Sequence, residues 1–366
     1  MLKTDFDVAV IGLGSMGLAT CYHLAKEGYK VLGVERFAIY NDKSSHVGDT
    51  RLIRKSYFEH PDYVPLLHKA YDNWKHLEIL RKVKVFHCDG VAYMGDKEGE
   101  VLSGVLKSAE LHGLHIEEHW SESFEPSVAK HSLWEAEAGY LDVAKVFETY
   151  LDAIKELGVQ VQDYTHLENW KQQGDCILIQ TDAGVKRVEK LVITAGAWTN
   201  ELLPVSLDLN PTRQVLAWFE CDDASFDMPC WCLDHPEGMG IYYGFSKSRK
   251  GFKVGHHYPG ETIDPNDKKI PITEEEIKNL HLVLQRLAPK KNFDFREAAN
   301  CIYTNTPDEH FIIDFLPNSD KKIVLAAGFS GHGFKFVSAI GEILSEMIKY
   351  EKLQPNASFL SLNRSS

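Results

Sequence analysis

Three glycines and one glutamate near the start of the chain have the types and spacing that bind a dinucleotide. Gly12 permits a tight turn, Gly14 lets a pyrophosphate approach the backbone, and Gly17 lets a helix pack closely against a strand. Glu35 follows 18 residues after Gly17, where a carboxylate accepts hydrogen bonds from ribose hydroxyls. A glutamate disfavours the 2′-phosphate of NADP, so the motif predicts the ADP half of FAD or NAD.

The elements around this motif are those of a strand, a turn and a helix. An apolar run from Val8 to Ile11 precedes the glycines, and apolar residues recur at helical spacing after them. Gly28 stands where a glycine ends a helix, and a second strand is expected at 31–35. Ser15 and Met16 open the helix, whose free N–H groups suit phosphate oxygens.

Two later runs, Lys190–Gly196 and Lys322–Gly328, are continuously apolar and end in glycine. Such runs predict parallel strands that are buried on both faces. Strands near residues 8, 192 and 325 are far apart in the sequence, so we expect a discontinuous nucleotide-binding domain with another domain inserted. The segment from about 206 to 300 is rich in predicted strands.

Helical spacing predicts helices over five further stretches, 62–80, 99–112, 143–157, 273–287 and 334–348. Arg51 and Arg54 stand three residues apart, which places them on one face if this segment is helical.

Composition excludes several classes of function. The 366 residues carry a formal net charge of −13, which gives no electrostatic case for nucleic acid or an anionic membrane. No apolar run is long enough to span a membrane, and the first strand begins too early for a signal peptide. The seven scattered cysteines show no metal-binding or redox spacing. We therefore expect a cytoplasmic protein with reduced cysteines and no metal site.

Six motifs in order resemble the monomeric sarcosine oxidase and N-methyl-L-tryptophan oxidase family, which also takes in pipecolate oxidases and, more distantly, fructosyl amino acid oxidases. The resemblance runs nearly the full length of the chain. The motifs are Gly12–Gly17 with Glu35, Gly48–Arg54, Gly240–Phe245, Lys253–His257, Cys301–Glu309 and Gly328–Lys335.

The resemblance implies an oxidase of secondary amines. FAD is attached covalently to Cys301 and takes a hydride equivalent from the carbon beside the amine. The imine then hydrolyses, and O₂ reoxidises the flavin to give H₂O₂. The partners are a small secondary amine and O₂, and the protein acts as a monomer.

The resemblance also assigns site residues. Lys253 activates oxygen, Arg54 and Lys335 hold the substrate carboxylate, and His257 and Tyr303 line the pocket. The complete set expected to bind FAD is Gly12, Gly14, Ser15, Met16, Gly17, Glu35, Arg36, Thr50, Arg51, Cys301, Gly331, His332, Gly333 and Lys335.

The fold expected is α/β, with a discontinuous Rossmann-type FAD-binding domain and a strand-rich α+β substrate domain. Residues 1–85, 143–205 and 301–366 are assigned to the FAD-binding domain. Residues 86–142 and 206–300 are assigned to the substrate domain.

Without the resemblance, the same residues have plainer interpretations. A lone cysteine such as Cys301 is usually a small buried hydrophobe, and Lys253 fits an outward-pointing strand lysine. Arg51 and Arg54 fit solvated surface charges, and Tyr242 and Tyr243 fit core positions. One departure from the family is Val47, which stands where relatives often have a second histidine and makes that wall of the pocket more apolar.

Three alternatives remain open from the sequence. The substrate could be a fructosyl amino acid or a cyclic imino acid of the L-pipecolate or proline type. The dinucleotide motif alone also fits an NAD-dependent dehydrogenase. A non-catalytic flavin-binding subunit is the third, because a fold alone does not fix a function.

Overall fold

The computed structural model describes residues 3–364 except 236, 237, 239, 258, 259 and 268. The ends of the predicted FAD-binding domain, residues 1–2 and 365–366, therefore lie outside the described residues. The described strands are β1 (Phe6–Ile11), β2 (Val31–Val34), β3 (Thr50–Ile53), β4 (Phe86–His87), β5 (Val91–Gly95), β6 (Glu117–Glu118), β7 (His131–Glu135), β8 (Gly139–Asp142), β9 (Gln160–Gln162), β10 (Leu167–Gln173), β11 (Cys176–Thr181), β12 (Gly184–Ile193), β13 (Asn210–Cys221), β14 (Cys230–Asp234), β15 (Ile241–Ser248), β16 (Gly251–His256), β17 (Glu261–Thr262), β18 (Phe293–Asn305), β19 (Ile312–Phe315) and β20 (Ile323–Ala327). The described α-helices are α1 (Ser15–Lys26), α2 (Val64–Arg81), α3 (Glu100–His112), α4 (Val143–Glu156), α5 (Thr199–Leu202), α6 (Glu274–Leu287) and α7 (Val337–Tyr350).

An eight-stranded sheet holds the three strands that the sequence predicts to be parallel. β1 lies between β2 and β12 and pairs with both in parallel, and the end of β12 pairs in parallel with β20. Helices α1, α4 and α7 bury their apolar residues against one face of this sheet, and α2 packs on α7. The other face is covered by the antiparallel ribbon of β10 and β11. The predicted α/β fold with a Rossmann-type unit is confirmed.

A nine-stranded, mostly antiparallel sheet forms the second half of the molecule. β13, β15, β16 and β18 lie next to one another in it, and helix α6 packs its apolar residues on one face. Since side chains alternate between faces, Leu216, Trp218, Lys253, Cys301 and Tyr303 share the opposite face. Of these residues, Tyr303 lines the site described below.

The prediction that Arg51 and Arg54 share a helix face is wrong. Arg51 lies in β3, which pairs with β8 in a small three-stranded sheet, and Arg54 directly follows that strand. A spacing of three points side chains to opposite sides of a strand. Pairing with β8 decides the conformation here, because two charged residues alone carry no periodicity that could distinguish a helix from a strand.

Four of the five predicted helices agree with α2, α3, α4 and α6 to within two residues at each end. The fifth, predicted from 334, begins with a 3-10 turn at Phe334–Phe336 before α7. The domain boundaries stay a prediction; β18 continues to Asn305 within the nine-stranded sheet, so Cys301 belongs to that sheet.

All seven cysteines fall within the described residues and are free thiols. None of the described helices has both the length and the apolar character needed to cross a bilayer.

Candidate functional site

A cavity of about 980 Å³ lies beyond the carboxyl ends of the three parallel strands. Three segments line it, each of which directly follows one of these strands: 12–16 after β1, 194–198 after β12 and 328–333 after β20. In open α/β sheets, ligands bind in this position. We call it the dinucleotide cavity, because it contains the predicted dinucleotide motif.

The glycine turn in this cavity has the geometry that its sequence predicts. Gly12 has a φ of +90°, and a Cβ at Gly17 would lie 2.0 Å from the carbonyl oxygen of Gly12. A Cβ at Gly14 would meet nothing within 4 Å, so Gly14 borders open space. No side chain caps the N-terminus of α1. Its first N–H groups, beside Ser15 and Met16, are therefore free to bind an anion.

Glu35 lies at the end of β2 and lines the same cavity. Its carboxylate accepts hydrogen bonds from the backbone N–H of Leu13 at 2.8 Å and of Phe37 at 2.9 Å. Burial raises the pKa of Glu35, while these bonds favour its charged form. Glu35 thus holds the glycine turn in place and presents further lone pairs to the cavity. Arg36 instead is exposed and pairs with Glu201 outside it.

Two buried polar atoms on the cavity wall have no hydrogen-bond partner among the described residues. These are Nε2 of His46 and Oγ1 of Thr304. Burial lowers the pKa of His46 to about 3, so its ring is neutral. Buried polar groups are almost always hydrogen-bonded in proteins, so these two atoms are unsatisfied groups in the cavity wall.

A second cavity of about 540 Å³, the adjacent cavity, is joined to the first by shared walls. Arg51, Tyr303, Gly331 and Phe334 line both cavities. The residues that line only the adjacent cavity are Leu52, Arg54, Phe58, Glu59, Cys232, Ile241, Tyr243, His257, His332 and Lys335.

Two cations with one carboxylate occupy one end of the adjacent cavity. Arg54 is 3% exposed and pairs with Glu59, and Lys335 donates to the carbonyl oxygen of His332 at 2.8 Å. The Arg54 guanidinium holds the pKa of Glu59 down, at about 2, although burial opposes this. Burial, together with Arg54, lowers the pKa of Lys335 to about 7. This end can therefore bind an anion with fork-shaped and point-charge donors.

Lys253 lines neither cavity; it lies in β16 and is fully buried rather than pointing to solvent. Its Nζ donates to the carbonyl oxygen of Thr50 at 2.7 Å and lies 4.9 Å from the centre of the Phe245 ring. Burial and the nearby Arg51 lower the pKa of Lys253 to about 7. Lysine is almost never fully buried in proteins, so the burial of Lys253 argues against a plain strand residue that points to solvent.

Cys301 lies close to Arg51 and Lys253. A guanidinium nitrogen of Arg51 is 3.8 Å from its Sγ, and the thiol donates to the carbonyl oxygen of Ser45 at 3.3 Å. Burial raises the pKa of the Cys301 thiol, whereas Arg51 and Lys253 act to lower it. Cys301 faces a wide groove beside the two cavities and belongs to neither lining.

The remaining wall is aromatic. The ring of Tyr303 occupies the space that a Cβ at Gly331 would need, and Gly331 has a φ of +76°. Nδ1 of His257 lies 3.4 Å from the Tyr303 hydroxyl, and burial lowers the pKa of His257 to about 3. Tyr243 also lines this cavity, whereas its neighbour Tyr242 packs in the core on His256.

Val47 packs in a small apolar cluster with Leu216, Trp218, Cys301 and Tyr303. Val47 lines neither cavity, so its predicted effect on the pocket wall stays a prediction.

The comparisons with known proteins agree with this geometry. The sequence profile of FAD dependent oxidoreductases matches residues 7–347. The chain belongs to this family. It is 36% identical to monomeric sarcosine oxidase from Bacillus sp. (strain NS-129), over 99% of this chain and 98% of that protein. It is 32% identical to N-methyl-L-tryptophan oxidase from Escherichia coli O81 (strain ED1a), over 95% and 96% of the two chains. The resemblance predicted from the motifs is confirmed.

The solved structure of NikD, an amino acid oxidase essential for nikkomycin biosynthesis, has the same fold. It superposes with a TM-score of 0.87 at 21% identity and covers 97% of each chain. Membership in the FAD-dependent oxidoreductase family favours FAD over NAD and an enzyme over a non-catalytic subunit.

The residues of this FAD-dependent oxidoreductase fit FAD. The uncapped helix and the open space at Gly14 suit the pyrophosphate, and Glu35 suits the ribose. Gly331 and Gly333 line the dinucleotide cavity, whereas His332 and Lys335 line the adjacent one. Thr50 is buried beneath Lys253.

Sequence reasoning missed several residues of the site. Glu59, which pairs with Arg54, is outside the predicted set, because no motif or periodicity relates it to Arg54. His46, Thr194 and Trp198 also line the dinucleotide cavity and are outside the set that the sequence predicts to bind FAD. Among the described residues, no group of three or more His, Cys, Asp or Glu side chains could hold a metal ion.

Proposed function

We propose that this protein oxidises secondary amino acids, either sarcosine or another N-methyl or N-alkyl amino acid. The C–N bond of the substrate is oxidised to an imine, water hydrolyses the imine, and O₂ is reduced to H₂O₂. The observation that supports this best is the adjacent cavity, in which Arg54 and Lys335 face a space that shares four residues with the dinucleotide cavity. The activities named for the sarcosine and N-methyl-L-tryptophan oxidases support the same substrate class.

Arg54 and Lys335 bind the substrate carboxylate. Since Glu59 engages Nη2 of Arg54 and the carbonyl oxygen of Ser56 engages Nη1, Arg54 offers its remaining N–H groups to the carboxylate, and Lys335 adds a point charge. Binding at this end orients the rest of the substrate toward the shared wall of Arg51, Tyr303, Gly331 and Phe334.

The cavity favours an uncharged amine. His257 and His332 are neutral because burial lowers the pKa of each to about 3, and the nearby cations disfavour a further positive charge. An amine that arrives without its extra proton keeps the lone pair that assists loss of hydride from the neighbouring carbon.

FAD, when bound, supplies the two-electron acceptor for this oxidation and passes the electrons to O₂. The residues that would hold it are those lining the dinucleotide cavity, with Glu35 toward the ribose and the N-terminus of α1 toward the phosphates. Lys253, when protonated, provides a positive charge that stabilises the superoxide formed as O₂ is reduced.

Cys301 is proposed as the covalent attachment point of FAD. Its support is the family resemblance together with the two cations, Arg51 and Lys253, that favour its thiolate. Acid precipitation of purified protein separates attached from free flavin. Yellow colour should stay in the wild-type pellet and move to the supernatant in Cys301→Ser, while exposed Cys88→Ser should behave as wild type. Flavin that stayed with the Cys301→Ser pellet would exclude this linkage.

A substrate panel with peroxide detection tests the function. Peroxide from sarcosine or another N-methyl amino acid supports the proposal. Peroxide from fructosyl-glycine but not from sarcosine would select the fructosyl amino acid alternative, and peroxide from L-pipecolate or proline alone would select the cyclic one. Absence of peroxide from all of them, in flavin-loaded protein, would reject the oxidase.

We also propose that the protein works as a monomer in the cytoplasm. The relatives named monomeric sarcosine oxidase support the first point. Active protein that elutes from a sizing column at the mass of one 41.5 kDa chain is the expected result, and activity confined to a dimer peak would contradict it.

A further inference from the structure

Tyr57 lies between Arg54 and Lys335, two of the three cationic residues that line the adjacent cavity. Its side chain is completely buried, in the segment that follows β3. The guanidinium carbon of Arg54 is 4.6 Å from the centre of the Tyr57 ring, and Nζ of Lys335 is 5.1 Å from it. Both distances fall within the range of a cation–π interaction. A single aromatic ring therefore contacts both cations.

The Tyr57 hydroxyl is hydrogen-bonded to His332, whose tautomer is set by a backbone carbonyl. Nε2 of His332 lies 3.0 Å from the carbonyl oxygen of Glu309, and Nδ1 pairs with the Tyr57 hydroxyl. A carbonyl oxygen only accepts, so the proton of the neutral ring is on Nε2, and Tyr57 donates its O–H to Nδ1. The backbone carbonyl of this same histidine accepts the hydrogen bond from Lys335.

The ring itself is held rigidly. Its centre lies 5.1 Å from the Tyr63 ring and 5.3 Å from the Phe336 ring, which meets it edge-on. The Tyr57 backbone carbonyl accepts a hydrogen bond from Ser108 at 2.5 Å. These contacts leave Tyr57 little freedom to shift, so the groups that depend on it are held in fixed positions.

We propose that Tyr57 is a positioning residue for the anion-binding end of the adjacent cavity. Its ring fixes the spacing of Arg54 and Lys335, and its hydroxyl orders His332 and, through the carbonyl of that residue, Lys335. Tyr57 touches neither substrate nor cofactor in this role. The inference rests on the proposed function in one respect: the anion is taken to be the substrate carboxylate.

The ring and the hydroxyl can be separated by substitution in the flavin-loaded enzyme. Tyr57→Phe keeps the ring but leaves Nδ1 of His332 without its donor, and it should weaken carboxylate binding by about 5-fold. Tyr57→Leu also removes the aromatic face, and it should weaken carboxylate binding by about 30-fold. The probe is propionate, whose binding is followed by its effect on the flavin absorbance.

The kinetic readout compares KM and kcat for two substrates, one with a carboxylate and one without. For an N-methyl amino acid, KM should rise in both variants while kcat changes less than about 2-fold. For a secondary amine without a carboxylate, both constants should stay at the wild-type values. The matched control is Tyr63→Phe, which alters a buried neighbouring ring whose hydroxyl contacts His310 and Phe311 instead of the two cations.

Equal losses for both substrates, or unchanged propionate affinity in Tyr57→Phe and Tyr57→Leu, would overturn the proposal. If Tyr57→Leu failed to fold, Tyr57→Phe would decide the matter alone through the propionate titration. Wild-type enzyme that binds propionate but oxidises no secondary amino acid would reject the proposed function and leave the role of Tyr57 to be decided by the same titration.

Discussion

Arg54 and Glu59 form an ion pair inside the adjacent cavity in which both carboxylate oxygens lie 2.7 Å from one guanidinium nitrogen, Nη2. Nη1 donates to the carbonyl oxygen of Ser56 at 3.2 Å. The positive charge of Arg54 is thus already balanced before a ligand arrives. A second positive charge, on Lys335, makes this end of the cavity attractive to an anion.

Removing the acid from this pair should destabilise the protein. The two side chains are only 4% and 5% exposed, so Glu59→Gln leaves a buried arginine without its counter-charge. Loss of one partner of a buried pair costs about 3–5 kcal/mol of unfolding free energy. Denaturant unfolding at pH 7 measures this cost. The matched control is Glu137→Gln, whose carboxylate is exposed in its pair with Lys55 and should cost less than about 1 kcal/mol.

The stability difference between wild type and Glu59→Gln should depend on pH. The folded-state pKa of Glu59 is about 2, below its ordinary value of 4.5. The stability that the ionised Glu59 contributes is therefore complete above pH 4.5 and disappears as the pH falls toward 2. The difference between wild type and Glu59→Gln should narrow over this window, and a constant difference would contradict the depressed pKa.

Arg54→Ala should affect substrates that carry a carboxylate but not those that lack one. Loss of a charge-assisted hydrogen bond should raise KM for an N-methyl amino acid by about 10- to 100-fold. KM for a secondary amine without a carboxylate should not change, because that amine makes no use of the guanidinium. Steady-state kinetics on both substrates measure the contrast, and a uniform rise would indicate a purely structural arginine.

Lys253→Met should slow the reaction with O₂ far more than reduction by substrate. A buried cation that stabilises developing negative charge contributes about 10²- to 10³-fold to such a step. Stopped-flow mixing of reduced enzyme with O₂, and of oxidised enzyme with substrate, measures the two halves separately. Lys250→Met is the control, since Lys250 lies in the same hairpin but is half exposed and pairs with Glu297. Equal slowing of both halves would contradict the role of Lys253.

The O₂ reaction of the wild type should also depend on pH. Because the pKa of Lys253 is lowered to about 7, the cation is present below this pH and is lost above it. The rate constant for reoxidation should therefore fall as the pH rises through 7. The Lys253→Met profile should be flat over the same range.

Glu35→Gln should weaken FAD binding by about 10-fold, because the amide replaces one acceptor with a donor facing the ribose. Affinity is measurable in a Cys301→Ser background, in which the proposed linkage cannot hold the cofactor. Glu201→Gln, an exposed acid that pairs with Arg36, is the control. Unchanged affinity in Glu35→Gln would mean that this carboxylate only supports the turn through Leu13 and Phe37.

The sequence was sufficient for features that depend on local pattern. The glycine turn, the acid that ends β2 and the three parallel strands each have a signature within a few residues, because backbone geometry restricts what can stand there. The position of Lys253 could not be read in this way. A lysine in an alternating strand points to solvent unless something covers that face, and the cover comes from the distant Thr50 segment.

The pairing of Arg54 with Glu59 also could not be predicted from the local sequence. Arg54 follows a strand whose partner is β8, nearly 90 residues away, and that pairing rather than helical periodicity orients its side chain. Arg36 stands beside Glu35 in sequence, but its side chain is exposed, pairs with Glu201 and does not line the dinucleotide cavity. Adjacency in sequence does not specify which way a side chain turns after a strand ends.

The dinucleotide cavity is built from segments near residues 12, 194 and 328, so it does not exist until almost the whole chain has been synthesised. Strand β20 must leave the ribosome and pair beside β12 before the third wall is in place. Contacts so distant along the chain form slowly during folding. Cofactor can therefore bind only late in folding. A ligand that contacts all three segments stabilises the packing of the C-terminal strand β20 against the earlier strands.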